Sequence, residues 1–525
     1  MTLTEIMDFI NRVEQQFPVD EWKIDDIHAW PLIRQNLAWN NMLPKENFKV
    51  TERKSSFLKS LFDTLVSWAL ASFVDFRSTC KSVQPADIFF LSYTSAKQTD
   101  VLNKKYDIFC DPLISLLKQS HQKSLVWEYA QDNEYNIPRY TPSFFVQPRL
   151  FLNRLKYKIL GLKKINDFTI SLKNYAEFLE FVKQNQVSNF RYLDINLLSQ
   201  DIGYLRYLAD FYKNYLLKIN PSHAFTADNG FHELALNLAC RELGITSVSI
   251  QHGVQGDLHS DYGRWENVPK DGFELLPRIF WCWDSESAVA INQWAKACSS
   301  AHVAIVGGNP WLEMWIKKED RLVSVYDQKI KKLKIKTAHA KNILVTLQTP
   351  EKIYSKGEII PKFVLEAIAG SPREWFWWIR LHPIGMKCRK QINQLLRQYR
   401  IFNMDIDHAT DLPLPALLRH MDVHVTHSSS VVLDAQRFGV PSVVWSESGE
   451  SLFLKLFLSG MTKSAYNSIQ LIDSIQSQLA HRKTIQTTPI DSSAAMKQVL
   501  STQAFSRTAY PEIFDYSELI STNKI

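Results

Sequence analysis

Four short segments of this chain combine residue types that do chemistry with spacings that set them at the ends of strands. The first is Thr426-His-Ser-Ser-Ser-Val-Val-Leu-Asp434, where three hydroxyls stand between an apolar run and a helical one. Backbone N–H groups at a helix start lack intrahelical partners, and the helix dipole is positive there. Ser428, Ser429 and Ser430 therefore suit an anion, with their hydroxyls as added donors. One serine would serve as a helix cap; three exceed that need. The second segment is Arg380-Leu-His-Pro-Ile-Gly-Met-Lys387. His382, leaving a buried strand, can donate to a phosphate or act as a general acid, and Arg380 and Lys387 add charge. A lone His-Pro is a weak signal, and it gains weight from the serine run in the same half. The third segment is Asp228-Asn-Gly230. Its carboxylate can serve as a base on a hydroxyl or as a nucleophile on carbon; the bland reading is an Asn-Gly turn with Asp228 as helix cap. The fourth is Gln251-His-Gly-Val-Gln-Gly256, which brings His252 to the strand end beside Asp228 as a companion acid or base. Asp257, His259 and Asp261 follow at irregular spacing without a thiolate, so no metal is expected. Asn229, Gln251 and Asn309, the last within Gly307-Gly-Asn-Pro310, belong to loops facing a cleft.

The elements that must position these groups alternate. Residues 224–227 read as a strand, Phe231–Leu243 as a helix closed by Gly244, and Thr246–Ile250 as the next strand. Strand, helix, strand with short connections is the signature of a parallel sheet, whose ligands sit beyond the strands' carboxyl ends. The pattern restarts at 342–347, continues through the aromatic strand 375–379, and places Arg380–Pro383 and Thr426–Ser430 at successive strand ends. Gly439 closes a helix at 431–438, and 441–445 is the next strand. The tryptophan runs at 281–283 and 375–378 read as core strands rather than sugar-stacking platforms. The expected divisions are a helical N-terminal extension at 1–80, a first Rossmann-like unit at 81–315, and a linker at 316–340. A second such unit covers 341–490, and a helical tail at 491–525 crosses back to the first.

At 525 residues the chain is long enough for two cores. Hydrophobic residues at 45% and charged ones at 22% exclude a disordered chain. The net charge of +7 suits phosphates, nucleotides or an anionic membrane surface, and is too thin for nucleic acid. Six cysteines without C-x-x-C pairs point to a reducing cytoplasm. Residues 1–10 lack a signal-peptide pattern. The uncharged part of 61–76 is too short to span a bilayer; flanked by Arg53, Lys54, Lys59, Arg77 and Lys81, it is either a packed helix or an interfacial one.

The His-Pro and serine-run pair resembles the two donor motifs of bacterial sialyltransferases of the GT-B fold, which hold the phosphate of a CMP-sugar. Asp228-Asn-Gly230 is similar to their acidic-Asp-Gly motif, although Ala227 and Asn229 flank the carboxylate here. The arrangement also looks like the capsule and lipopolysaccharide transferases that handle Kdo and related ulosonic acids, across roughly residues 85–480. The resemblance implies an α/β GT-B protein, two Rossmann-like domains facing a central cleft. It implies a glycosyltransferase of surface-polysaccharide synthesis, moving a CMP-activated ulosonic acid to a glycan or glycolipid acceptor. His382, Lys387, Arg380 and the serines would hold the nucleotide, Asp434 would reach its ribose, and Asp228 and His252 would act on the sugar. A cytoplasmic protein with peripheral contact to an anionic inner membrane, and no cofactor beyond the nucleotide sugar, goes with this reading. A polyol-phosphate transferase using a CDP donor, a sugar-nucleotide epimerase and a non-enzymatic assembly scaffold are the alternatives.

Overall fold

In the computed structural model the described residues are 3–42, 83–93, 98–129, 138–147, 149, 150, 153, 168–187, 190–298, 301–317, 321–337, 341–348, 358, 360–480 and 489–502. The 61–76 stretch lies outside them.

Two parallel sheets dominate. Across the first sheet run the strands Val303–Val306, Ile279–Cys282, Thr246–Ile250, His223–Thr226, Ile88–Tyr93, Ser124–Tyr129 and Phe144–Phe145. Counted along the chain, that order is 7-6-5-4-1-2-3. Across the second run Met404–Asp405, Trp375–Arg380, Lys341–Thr346, Val423–Thr426, Ser442–Val444 and Thr462–Ser464, or 3-2-1-4-5-6. Each sheet thus starts in its middle, grows one way, then returns and grows the other. The switch point lies between the first and fourth strands, where the connecting loops part and leave a crevice. The α/β architecture with two such units and an N-terminal helical region matches the fold class expected from the sequence.

The strands are apolar on both faces because helices cover both. In the strand Trp375–Arg380, Trp375, Trp377 and Ile379 enter one core, while Phe376 and Trp378 enter the other. The indole N–H of Trp378 donates to Asn342 Oδ1 at 3.1 Å, and that of Trp377 to Ser371 Oγ at 3.0 Å. These tryptophans are core residues.

Helices Leu3–Gln16 and Trp30–Met42 are not a loose appendage. Phe9, Trp22, Trp30 and Ile33 share one core with Phe89, Trp127, Leu234 and Tyr262 of the first unit. Helices Pro310–Lys317 and Arg321–Thr337 cover the second sheet, where Trp311, Trp315, Val323 and Ile330 meet Leu344 and Trp378. A hairpin of Gln98–Val101 and Lys104–Asp107 adds Val101 and Tyr106 to that core. Helix Ser492–Ser501 packs back on the first sheet. Its Met496 and Val499 lie with Ile88 and Phe225, and the Val499 carbonyl is 3.0 Å from His223 Nε2.

Candidate functional site

Asp228 follows the fourth strand of the first sheet, so it stands at that sheet's switch point. The helix Phe231–Leu243 starts three residues later, with Gly230 as cap and Gly244 ending it in the left-handed region at φ 69°. The strand Thr246–Ile250 runs parallel beside His223–Thr226, Ser249 opposite Thr226, which delivers His252 next to Asp228. His252 Nε2 lies 4.0 Å from Asp228 Oδ1, and both side chains are about one third exposed, at 28% and 34%. The carboxylate also accepts from the Asn229 N–H at 2.9 Å. A partly exposed carboxylate at a helix start, with an imidazole one step away, can take a proton or attack carbon.

Behind it lies a buried polar layer. The Tyr129 hydroxyl donates to Glu233 Oε1 at 2.6 Å, and its ring stacks on His232 with centroids 4.4 Å apart. Burial, then the charges of Glu233 and Asp228, hold the Tyr129 phenol well above its ordinary range, so it remains a donor.

The serine turn stands at the switch point of the second sheet. Ser428 Oγ lies 3.4 Å from Gln348 Oε1, and Gln348 follows the first strand of that sheet. Ser428 Oγ is also 2.9 Å from His427 Nδ1. Burial lowers His427 to about 4, so its ring is neutral at pH 7. The Ser429 hydroxyl accepts from the Val431 N–H at 3.3 Å, and Ser430 precedes the helix Val431–Arg437 without a side-chain cap. One turn on, Asp434 Oδ1 is shut off from solvent and has no hydrogen-bond partner among the described residues. Desolvation raises this carboxyl to about 7. Gln348 and His427 carried no assigned role in the sequence reading. His427 was visible inside the serine motif, whereas Gln348 becomes notable only once its strand is known to lie between the other two.

The two donor segments are not on neighbouring strands. Lys341–Thr346 intervenes between Trp375–Arg380 and Val423–Thr426, so the strands that lead to His382 and Ser428 lie two spacings apart, about 10 Å. Arg380 points elsewhere. Its Nη1 donates to the carbonyls of Ala409 and Leu412 at 2.7 and 2.6 Å, and burial lowers it to about 10. It braces the 409–412 segment against the end of its own strand. His382 opens the short helical turn Pro383–Cys388, which also bears Lys387, whose side chain lies outside the described structure.

Three predicted cleft residues are tied into the framework. Fully buried Gln251 donates to the Gly253 carbonyl at 2.9 Å and accepts from the Trp283 N–H at 2.6 Å. Asn229 donates to Asp261 Oδ2 at 3.0 Å and accepts from the Tyr262 hydroxyl at 2.7 Å. Asn309 starts the helix Pro310–Lys317, its Oδ1 3.4 Å from the Leu312 N–H. Glu313 on that helix is ion-paired with Arg437 at the far end of the serine helix.

The two half-sites face each other. Val254, two residues after His252, packs against the apolar cluster of Val432, Val444, Phe453, Leu456 and Met461 beneath the serine helix. Lys455 and Glu286 pair across the same seam at 2.7 Å. Among the described residues no group of three or more His, Cys, Asp or Glu is gathered closely enough to hold a metal, and no helix is long and apolar enough to cross a membrane.

No family model matches the chain, and no curated protein matches it. Similar solved structures include UDP-GlcNAc 2-epimerase from Neisseria meningitidis bound to UDP-GlcNAc, with TM-score 0.45, 16% identity, and 79% of this chain and 99% of that one covered. An S. aureus MnaA–UDP structure gives 0.47, 14%, 79% and 95%. A variant of the wall teichoic acid polymerase TagF gives 0.45, 10%, 85% and 91%. Identities of 10–16% with scores below 0.5 assign neither activity nor substrate, which rest on the site itself.

Proposed function

We propose that this chain is a nucleotide-sugar-dependent glycosyltransferase that holds its donor nucleotide on the second unit and its acceptor on the first. One observation carries the reading. Both sheets are doubly wound, and the chemistry-bearing groups fall at both switch points, Asp228 with His252 on one and the serine turn with Gln348 on the other. The Val254 contact sets these two crevices against each other.

In this reading Ser428, Ser429 and Ser430 donate to the donor phosphate, and neutral His427 holds the Ser428 hydroxyl. His382 and Lys387 stand two strands away and offset charge as it builds on the departing nucleotide. Asp434 takes hydrogen bonds from the ribose hydroxyls, which supply the donors its buried oxygen lacks. For inversion, Asp228 removes the acceptor hydroxyl proton, the acceptor oxygen bonds to the anomeric carbon, and the bond to phosphate breaks with its electron pair leaving on the nucleotide. For retention, the Asp228 carboxylate first bonds to the anomeric carbon as the nucleotide leaves with its electron pair, and the acceptor oxygen, deprotonated by His252, then bonds to that carbon and displaces the carboxylate.

The donor class we favour is a CMP-activated ulosonic acid, on the strength of the motif resemblance and because one phosphate needs few donors. A capsule or lipopolysaccharide glycan would be the acceptor, met at the cytoplasmic side of an anionic inner membrane. The exposed Lys329, Lys331, Lys332 and Ile335 on the helix Arg321–Thr337 suit such a surface. Calorimetry with CMP, CDP and UDP tests the donor assignment. Preferred CMP binding supports it, a clear UDP preference removes the ulosonic-acid reading, and no binding of any of them sinks the donor site.

A further inference from the structure

Gln35 on the second N-terminal helix reaches the loop that carries Asp228, although about 190 residues separate them in sequence, and Arg34 beside it reaches the 263–265 stretch. Gln35 Nε2 donates to the Asn229 carbonyl at 2.9 Å. Arg34 is fully buried. Its Nη1 donates to Glu14 Oε1 at 2.6 Å, its Nη2 to the Gly263 carbonyl at 2.6 Å, and its guanidinium lies 4.1 Å over the Trp265 ring. Glu14 Oε2 in turn accepts the Glu266 N–H at 2.7 Å. The stretch 261–266 is therefore pinned from outside the first sheet.

That stretch grips Asn229. Asp261 Oδ2 accepts from its amide at 3.0 Å, and the Tyr262 hydroxyl donates to its side-chain oxygen at 2.7 Å. Gly263 lets the same stretch lie close against the 256–257 backbone, because a Cβ there would meet the Gly256 carbonyl at 2.2 Å. The Asn229 residue is thus fixed at its carbonyl and at both ends of its amide. Its remaining backbone group, the N–H, donates to Asp228 Oδ1.

We propose that Arg34, Gln35, Asp261 and Tyr262 are positioning residues that set the orientation of the Asp228 carboxylate through Asn229, which makes the N-terminal helices part of the reaction centre's support. None of the four is assigned to touch substrate. The inference rests on the reading of Asp228 given above. A covering helix alone would bury apolar surface; here a fully buried ion pair holds the 263–266 stretch, and the adjoining Asp261 and Tyr262 join Gln35 in a three-sided clamp on Asn229. Holding a reacting group to within a fraction of an ångström is what such a clamp provides, and small displacements cost rate rather than binding.

The test compares Gln35→Ala and Tyr262→Phe with the parent in the full chain. Each removes one hydrogen bond and leaves the Arg34–Glu14 pair intact. Expected is a kcat about tenfold lower, with donor KM and nucleotide affinity unchanged. Hydrogen exchange by mass spectrometry should quicken in peptides spanning 227–232, and not in the N-terminal helices or the second unit. Equal loss of kcat and nucleotide affinity, or quickened exchange throughout the first unit, would reduce these residues to general structural support. Unchanged exchange at 227–232 in both variants overturns the inference outright. If the parent protein turns over no nucleotide sugar, the functional reading fails, while the exchange measurement still decides whether the clamp holds the Asp228 loop.

Discussion

Replacing Asp434 by asparagine should stabilise the protein at alkaline pH and have no effect in acid. Oδ1 of this side chain is closed to solvent and unpartnered among the described residues, and desolvation raises the carboxyl from 3.8 to about 7. That rise corresponds to up to about 4 kcal/mol. The sign follows from the two states. Below pH 4 the group is protonated both folded and unfolded, so it costs nothing. As pH rises to 7 the unfolded chain ionises first, and above 7 the folded protein carries the full cost of a buried charge. Stability should therefore fall between pH 4 and 7 in the parent and fall less in Asp434→Asn. Urea unfolding at pH 4 and pH 8 measures this, with up to about 4 kcal/mol gained by the variant at pH 8 only. Ribose hydroxyls donating to the carboxylate would favour its ionised form. Nucleotide binding near pH 6.5 should then release a proton in the parent beyond that seen in the variant, read by calorimetry in buffers of different ionisation enthalpy. A variant no more stable than the parent at pH 8 would refute the reasoning about burial.

Other perturbations separate binding from chemistry. Asp228→Asn should lower kcat by 1,000-fold or more while the nucleotide dissociation constant stays put, since the residue lies on the opposite sheet. For Ser428→Ala the loss should be in nucleotide affinity, about 10- to 100-fold, as expected for a hydrogen bond to a charged phosphate, with little change in melting temperature. Arg380→Met should behave in the reverse manner. Two carbonyls lose their donor, unfolding free energy drops by about 2–4 kcal/mol, and nucleotide affinity survives in the folded fraction. Gly307→Ala places a Cβ 2.0 Å from the Trp281 ring, so thermal denaturation should show a destabilisation of several kcal/mol.

Much of the fold was legible because parallel strands are continuous apolar runs with glycine-closed helices between them. The helix Phe231–Leu243 and the strand Thr246–Ile250 agree with the sequence reading to the residue. Asp228 and His252 were legible as a pair because sequence-adjacent strands of a βαβ unit lie side by side. That the strands leading to His382 and to the serine turn are not neighbours in the sheet escaped the sequence for the same reason in reverse. Chain order does not say that the first strand of a doubly wound sheet separates the second from the fourth. Asn229, Gln251 and Arg380 were polar residues at strand ends, a pattern shared by ligand contacts and by braces. Their partners (Tyr262 and Gln35, Trp283, Leu412) are remote in sequence, so only the folded chain shows which of the two they are. Nothing in the composition of the N-terminal helices hinted that Gln35 reaches the Asn229 carbonyl or that Arg34 holds the 263–265 stretch.

The central claim is that the cleft between the two switch points transfers a sugar from a nucleotide with Asp228 acting on the reacting atoms. Its most direct test is product analysis with labelled CMP-ulosonic acids and other nucleotide sugars, with and without a glycan acceptor, for the parent and Asp228→Asn side by side. The account predicts acceptor-dependent release of nucleotide matched one for one by labelled glycan, abolished in the variant, which still binds nucleotide. An epimerised nucleotide sugar formed without acceptor, or undiminished transfer by Asp228→Asn, would contradict it.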